Sequence, residues 1–274
     1  MIFFVLLVYS EKYYEKALYE LNELAEKISS NSNYKLLVVN NNNNLDLSKF
    51  GYLRSKIDFI EGDNTGFEFS GWDVATTYLK TNYNISNSYI AYANDTFCHH
   101  RNWDCLTKKK FIHEFKKMIK ESKRGICGEV NSFNRSFELN NCILNSWVSS
   151  YLFIISSNIL LDYNFKFDNA KKYYSYWVLN ITKEKIYFSE EFSIHLSYHL
   201  NRWLFPKSKK GWYKAKNATI EEKRNKLYSI LNEKLLTANV LNRGGAIYDV
   251  NDFMNINLFK RLKNFFKWQS KIES

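Results

Sequence analysis

The chain has 274 residues, which corresponds to one large domain or to a domain with a substantial appendage. Hydrophobic residues make up 45% and charged residues 24%, which excludes wholesale disorder, collagen and coiled coil. No apolar run reaches the roughly 18 residues that a membrane-spanning helix needs. The four cysteines form no CxxC pair, and we expect them to be reduced thiols.

The net charge of +11 is unevenly distributed along the chain. Residues 1–100 carry 8 basic and 12 acidic residues (net −4), and residues 101–200 carry 15 and 10 (net +5). Residues 201–274 carry 16 basic and 6 acidic residues (net +10). A basic region of this kind indicates an anionic partner, either an acidic membrane surface or nucleic acid, although a solvated basic face is the alternative.

Apolar stretches and amphipathic periodicity alternate over the first hundred residues. The predicted elements are a strand over 2–9, a helix over 11–30, strands over 36–39 and 57–60, a helix over 70–79 and a strand over 88–93. Strands that alternate with helices across short connections predict an α/β fold with a mostly parallel, Rossmann-like sheet flanked by helices.

The second part of the chain is less regular. The pattern predicts a basic helix over 108–122, strands over 125–130 and 151–155, and helices over 189–200 and 221–236. Ser189 is the predicted N-cap of the helix over 189–200, with Glu190 and Glu191 in its first turn. We expect two regions, residues 1–200 as the main domain and residues 201–274 as a basic, mainly helical C-terminal region.

Polar residues follow each of the four predicted parallel strands. In a parallel sheet, ligands bind beyond the carboxyl ends of the strands, so these residues predict one shared polar site. No GxGxxG segment follows the first strand and no GxxxxGK[ST] segment occurs, which disfavours a dinucleotide site and a P-loop. The residues at the strand ends are Tyr9, Ser10, Asn40, Asn41, Asp63, Asn64, Asn94 and Asp95.

Asp95 ends the fourth predicted strand and admits two interpretations. Its carboxylate could hold Mg²⁺ or Mn²⁺ against a diphosphate, or it could cap the segment that follows. The spacing of residues does not decide between them.

Four segments resemble, in the same order, segments of bacterial GT-A glycosyltransferases, both family-2-like enzymes and the rhamnan-synthesis type that builds surface polysaccharides. They are residues 63–73 (DNTGFEFSGWD), 89–97 (YIAYANDTF), 146–153 (SWVSSYLF) and 189–196 (SEEFSIHL). The resemblance covers about residues 1–200. Asn94 stands where the DxD motif of these enzymes has its first aspartate, and Glu190–Glu191 stands where they have Glu-Asp.

This resemblance implies a GT-A-like fold and the transfer of a hexosyl or deoxyhexosyl group from a nucleotide diphosphate sugar to a glycan hydroxyl. It implies inversion at the anomeric carbon, with Glu191 or Glu190 as the base, and a divalent metal (Mn²⁺ or Mg²⁺) on Asp95. Trp147 and Ser149 are the expected acceptor residues. The expected donor-binding residues are Tyr9, Ser10, Asn40, Asp63, Asn64, Glu68, Asn94 and Asp95.

Two other functions fit parts of the sequence. Basic charge with many aromatic residues also suits single-stranded nucleic acid. We expect no nucleic-acid partner, because the positive charge is separate from the polar strand ends. A catalytically inactive, glycosyltransferase-like scaffold is the other alternative, because Asn94 stands in place of the first aspartate of the DxD motif.

The end of the chain has the pattern of an interfacial membrane helix. Over residues 257–269 apolar side chains share one helical stripe and lysines flank it, which is typical of a helix that lies on an anionic membrane. A lipid-linked glycan acceptor (lipooligosaccharide, capsule or other polysaccharide) and a cytoplasmic location on the inner face of the membrane would suit this pattern. The residues expected at the membrane are Phe259, Lys260, Arg261, Phe265, Phe266, Lys267 and Trp268.

The membrane prediction concerns the tail alone and can be tested by truncation. The full chain should float with vesicles that contain anionic lipid, and a chain cut to residues 1–255 should float less, because it lacks the basic amphipathic segment. Vesicles of neutral lipid are the control. Equal flotation of both chains would remove this role for the tail.

Overall fold

The first strand of the chain, β1 (Ile2–Val8), is apolar and is buried at all seven positions. A strand that is buried on both faces needs a layer of helices on each face. The computed structural model describes residues 1–30, 33–42, 45–46, 57–100, 102–121, 124–162, 165–207 and 211–253. The other strands are β2 (Tyr34–Asn40), β3 (Ile57–Glu61), β4 (Tyr89–Asn94), β5 (Gly125–Leu139), β6 (Cys142–Ser156), β7 (Val178–Ile181), β8 (Ile186–Phe188) and β9 (Ala246–Asp249).

Helices connect most of these strands. Those with more than ten residues are α1 (Tyr14–Ser29), α2 (Glu68–Asn82), α3 (Cys105–Lys120), α6 (Ile194–Leu204) and α7 (Ile220–Asn242). The short ones are α4 (Ser157–Leu160), α5 (Ala170–Tyr174) and a 3₁₀ turn at Ser175–Trp177.

Seven strands form one sheet in the order β3-β2-β1-β4-β6-β5-β9, and β7 and β8 form a separate pair. Six of the seven run in the same direction, and only β6 runs antiparallel to its neighbours. Residues of α1 and α3 share one core with one face of β1, and residues of α2 and α7 share a second core with the other face. The predicted α/β class and mostly parallel sheet are confirmed.

The β5–β6 hairpin is longer than predicted. The sequence predicted two short strands, whereas the structure has two strands of 15 residues each. Asn140 and Asn141 connect them with φ angles of 52° and 58°. Two consecutive positive φ angles are typical of a tight two-residue hairpin turn, and asparagine tolerates this conformation better than most residues.

The predicted start of α6 is wrong. Ser193, and not Ser189, is its N-cap, and the Ser193 hydroxyl accepts a hydrogen bond from the backbone N–H of Leu196. Glu190 and Glu191 lie in an exposed turn before the helix, so neither is in its first turn. Ser189 and Ser193 lie four residues apart, and the turn lies between these two serines. Within this segment the ring of Phe192 stacks on the ring of Phe188.

The C-terminal part of the described chain packs on the main sheet. Strand β9 pairs in parallel with β5, and α7 lies against β6. The predicted division into residues 1–200 and 201–274 stays a prediction. None of the helices described combines the length and apolarity needed to span a bilayer. The residues predicted to contact a membrane, 259–268, lie outside the described residues.

Trp72 lies at the centre of the core on the α2 side of the sheet. It is fully buried, and its ring contacts the rings of four aromatic residues, Phe69, Tyr92, Phe153 and Phe167. The indole Nε1 of Trp72 is buried without a hydrogen-bond partner. Trp72 is thus a core residue and does not offer its ring to a ligand.

Replacement of Trp72 should destabilise the protein strongly. We expect Trp72→Ala to lower the free energy of unfolding by about 3–5 kcal/mol, because it leaves a large cavity among four rings. Trp72→Phe should cost less, since it keeps a ring and removes the unpaired N–H. Urea denaturation measures both, and Tyr19→Ala at an exposed position of α1 is the control. An equal loss of unfolding free energy in Tyr19→Ala would contradict the assignment of Trp72 to the core.

Candidate functional site

The order of strands reverses between β1 and β4. From β1 the chain passes to β2 and β3 on one side, and then returns to place β4 on the other side of β1. Helices α1 and α2, which make these connections, lie on opposite faces of the sheet. In open α/β sheets the crevice at such a switch point, beyond the carboxyl ends of the strands, is where ligands bind.

Asp95 joins the ends of β1 and β4 at this switch point. Its Oδ2 accepts hydrogen bonds from the backbone N–H groups of Tyr9 (2.8 Å) and Ser10 (2.7 Å). Asp95 is 4% exposed, and burial raises the pKa of its carboxyl group, although the two N–H donors partly oppose this effect. This carboxylate caps the end of β1, and its role as a metal ligand stays a prediction.

Aromatic and imidazole rings stack next to Asp95. His99 and His100 both contact the Tyr13 ring, with centroid distances of 4.6 and 5.3 Å, and His99 Nε2 lies 3.1 Å from the Tyr13 carbonyl oxygen. Their charges act to lower the pKa of Asp95. The start of α1, with the positive end of its dipole, lies at the same edge. This corner of the site can therefore attract an anion.

Hydrogen bonds extend the edge from β1 to β2 and β3. Asn42 Nδ2 donates to the carbonyl oxygen of Tyr9 (2.8 Å), and its backbone N–H donates to Asn40 Oδ1 (3.1 Å). Asn41 Nδ2 lies 3.4 Å from Asn64 Oδ1. The predicted meeting of the four strand ends is confirmed. Asn41, which the sequence placed among the polar residues at the strand ends, is the buried link between two of them.

The segment between β3 and α2 is a tight turn. Asp63 Oδ1 accepts a hydrogen bond from the Thr65 N–H (3.1 Å), and Asn64 and Phe67 have positive φ angles of 51° and 55°. Burial acts to raise the pKa of Asp63, but the hydrogen bonds from Thr65 and Ser70 lower it below its usual value. A Cβ atom at Gly62 would lie 1.9 Å from Asn41 Oδ1, so only glycine fits there.

Residues of β6 and α7 lie on the side of β4 away from β1. Glu233 of α7 accepts hydrogen bonds from Trp147 Nε1 (2.8 Å), the Ser150 N–H (3.1 Å) and the Ser150 hydroxyl (2.8 Å). The same hydroxyl lies 3.3 Å from Glu68 Oε1 at the start of α2. Sequence reasoning missed Glu233 and Ser150, because these contacts join residues more than 80 positions apart.

Trp147 and Ser149, the predicted acceptor residues, are both buried, with 6% and 4% of their surfaces exposed. The Nζ atom of Lys234 lies 3.9 Å from the centroid of the Trp147 ring, and the His199 ring packs against it at 5.2 Å. Burial lowers the pKa of Lys234 to about 8. Both predicted acceptor residues occupy packing positions, and their role in acceptor binding stays a prediction.

The predicted base residues make no contact with this cluster. Glu190 and Glu191 are exposed, and neither forms a hydrogen bond or ion pair with another described residue. Their catalytic role stays a prediction.

The residues at the edge do not fit a divalent ion held by the protein alone. Among the described residues no three His, Cys, Asp or Glu side chains are grouped so that they could hold a metal. Asn94 Oδ1 accepts hydrogen bonds from the Thr96 N–H (3.2 Å) and hydroxyl (2.7 Å), and Asp95 Oδ2 is engaged by β1. Oδ1 of Asp95 accepts none from the described residues. The Mn²⁺ or Mg²⁺ requirement stays a prediction.

Comparisons with known proteins give distant likenesses in structure. No protein-family model matches the chain, and no curated protein matches its sequence. It is similar to a 4-diphosphocytidyl-2C-methyl-D-erythritol synthase at 12% identity and a TM-score of 0.40, over 58% of this chain and 76% of that one. It is also similar to residues 1–349 of S. aureus TarS at 13% identity and a TM-score of 0.35, over 75% of this chain and 56% of that one. Such low scores carry no argument about function.

His199 should make the protein sensitive to acid. Burial lowers the pKa of His199 to about 3, and the positive charges of Lys234 and Arg202 act in the same direction. The unfolded chain binds a proton at about pH 6.5, so the stability from neutral His199 is present above that pH and is lost as the pH falls towards 3.

Urea denaturation between pH 7 and pH 4 measures this effect. The free energy of unfolding of the wild type should fall more steeply with decreasing pH than that of His199→Phe, which keeps an aromatic ring between Phe133 and Trp147. His195→Phe, one turn earlier on α6, retains His199 and should keep the pH dependence of the wild type. Identical slopes for the wild type and His199→Phe would contradict the prediction.

Proposed function

We propose that this chain is a glycosyltransferase that moves a hexosyl or deoxyhexosyl group from a nucleotide diphosphate sugar to a glycan hydroxyl. The observation that carries the proposal is the position of the predicted donor residues at the switch point between β1 and β4, linked by the hydrogen bonds of Asp95. The resemblance of segments 63–73 and 89–97 to glycosyltransferases agrees with this position.

The β1 side of the edge is the proposed donor site. A diphosphate carries negative charge, and the start of α1 together with His99 and His100 offers partial or full positive charge to it. Tyr9, which is half exposed at the end of β1, offers a ring to the nucleoside, and the corner where Asn41 meets Asn64 offers amides. In this proposal Asp95 fixes the shape of the site by holding the ends of β1 and β4 together.

The β6 side of the edge is the proposed acceptor side. The proposed acceptor is a glycan of a surface polysaccharide, and the basic tail is proposed to keep the enzyme at an anionic membrane surface where a lipid-linked glycan would lie. The proposed reaction inverts the anomeric carbon, since one carboxylate removes the acceptor proton during direct attack.

Nucleotide binding tests the proposal directly. Thermal unfolding of the full chain with UDP, GDP, dTDP or CMP should show stabilisation by one of them. A ligand at about 100 times its Kd adds about 2.7 kcal/mol, or roughly 5 °C in Tm. Asp95→Ala should abolish the shift, because it frees the backbone at the end of β1.

Two controls accompany this measurement. Asp104→Ala removes a carboxylate that caps α3 and should leave the nucleotide-dependent shift intact. Each nucleotide is also added with and without Mn²⁺, and a shift that needs Mn²⁺ would support the metal on Asp95. If no nucleotide shifts the Tm, the proposal fails, and a salt-dependent gel shift with single-stranded oligonucleotide would then examine the nucleic-acid alternative.

A further inference from the structure

One carboxylate at the site has no donor of its own. Ser150 Oγ lies 2.8 Å from Glu233 Oε2 and 3.3 Å from Glu68 Oε1, but a serine hydroxyl carries a single hydrogen. The Ser150 N–H also donates to Glu233 Oε2, and the shorter contact indicates that the hydroxyl hydrogen points there as well. Among the described residues Glu68 therefore receives at most a share of the single Ser150 hydroxyl hydrogen.

Four other carboxylates of this edge are engaged. Asp95 accepts two backbone N–H groups, and Glu233 accepts three donors. Glu129 accepts the Tyr151 hydroxyl at 2.5 Å, and Asp63 accepts the Thr65 N–H. A half-buried carboxylate with open lone pairs, among others that are satisfied, can accept a hydrogen bond or a proton from a ligand.

The position of Glu68 is fixed by a strained turn. Phe67, directly before it, has φ 55° and ψ −131°, a conformation that non-glycine residues rarely adopt. The carbonyl oxygen of Phe67 accepts a hydrogen bond from the buried Asn41 (3.0 Å), and the Gly66 N–H donates to Ser70 Oγ (2.9 Å). The turn thus holds the Glu68 backbone at the start of α2, where the helix dipole stabilises its negative charge.

Strand register places Glu68 beside the switch point. Ala93 of β4 is opposite Leu152 of β6 in an antiparallel pair. Asp95, just past the end of β4, lies two residues after Ala93, and Ser150 of β6 lies two residues before Leu152, so the register places them at the same level. Glu68, whose Oε1 lies 3.3 Å from Ser150 Oγ, is therefore at the level of the switch point.

The sequence predicted Glu68 as a donor-binding residue; we propose instead that Glu68, rather than Glu190 or Glu191, removes the proton from the acceptor hydroxyl, and that Ser150 and Glu233 are positioning residues. This inference rests on the proposed function. In the step, the acceptor O–H bond breaks and its proton passes to the Glu68 carboxylate. The acceptor oxygen forms a bond to the anomeric carbon, and the bond from that carbon to the diphosphate breaks, so that the nucleoside diphosphate leaves with the electron pair.

Release of nucleoside diphosphate from UDP-, GDP- and dTDP-sugars, with water or glycerol as the acceptor, measures the step. We expect Glu68→Gln to lower kcat by about 10²–10⁴-fold and to leave the nucleotide-induced Tm shift unchanged. Glu184→Gln, an exposed glutamate between β7 and β8, is the matched control and should behave as the wild type.

Chemical rescue separates catalysis from structure. Formate should restore part of the activity of Glu68→Ala, because it can occupy the vacated space and accept the proton, whereas a misfolded variant would not respond. Ser150→Ala should lower kcat less than Glu68→Gln, since it changes only the position of the carboxylate.

Three results would overturn the inference. Glu68→Gln could retain activity within threefold of the wild type, or the double variant Glu190→Gln, Glu191→Gln could lose activity while Glu68→Gln does not. Glu68→Gln could also lose the nucleotide-induced Tm shift in parallel with activity, which would make Glu68 a donor-binding residue. Failure of the proposed function is distinct from all three, because the wild type itself would then bind no nucleotide and release none.

Discussion

The burial of β1 on both faces is the constraint on which the rest of the structure depends. All seven residues of this strand are apolar and shielded from water, and burial of each such side chain contributes roughly 1.5–3 kcal/mol. Shielding both faces requires helices on each, so α1 packs on one side and α2 on the other. A chain that winds both ways from a central strand creates a crevice at its carboxyl end, and the polar residues of the strand ends collect there.

The edge of the sheet is held by hydrogen bonds that span large sequence separations. Asp95 closes the gap between β4 and β1, and Glu233 ties α7 to β6 through Trp147 and Ser150. Burial of Glu233 beside the cation of Lys234 is tolerated because each charge has a partner, three donors for the carboxylate and the Trp147 ring for the ammonium group. The proposed catalytic edge and the stability of the fold therefore share the same side chains.

Much of the central sheet could be predicted because the signals are local. Apolar runs predicted β1 to β4. Helical periodicity predicted α1, whose buried stripe is Tyr14, Leu18, Leu21 and Ile28. The start of α6 was misplaced because Ser189, followed by two glutamates, has the stronger local capping signal, whereas in the structure the helix begins after Ser193. The length of the β5–β6 hairpin was missed because Asn140–Asn141 was not interpreted as a turn.

The sequence by itself determined the α/β class, the sequence positions of the parallel strands and the polar residues at their carboxyl ends, since each depends on neighbours along the chain. Only the tertiary structure decided how hydrogen-bond donors are shared among the carboxylates, and that Glu68 keeps lone pairs available for a ligand. Glu68, Ser150 and Glu233 come from α2, β6 and α7, and no local pattern records that they meet. The hydrogen bonds of Asp95 likewise appear only once β1 and β4 are adjacent, because pairing of the strands is what brings its carboxylate to the N–H groups of Tyr9 and Ser10.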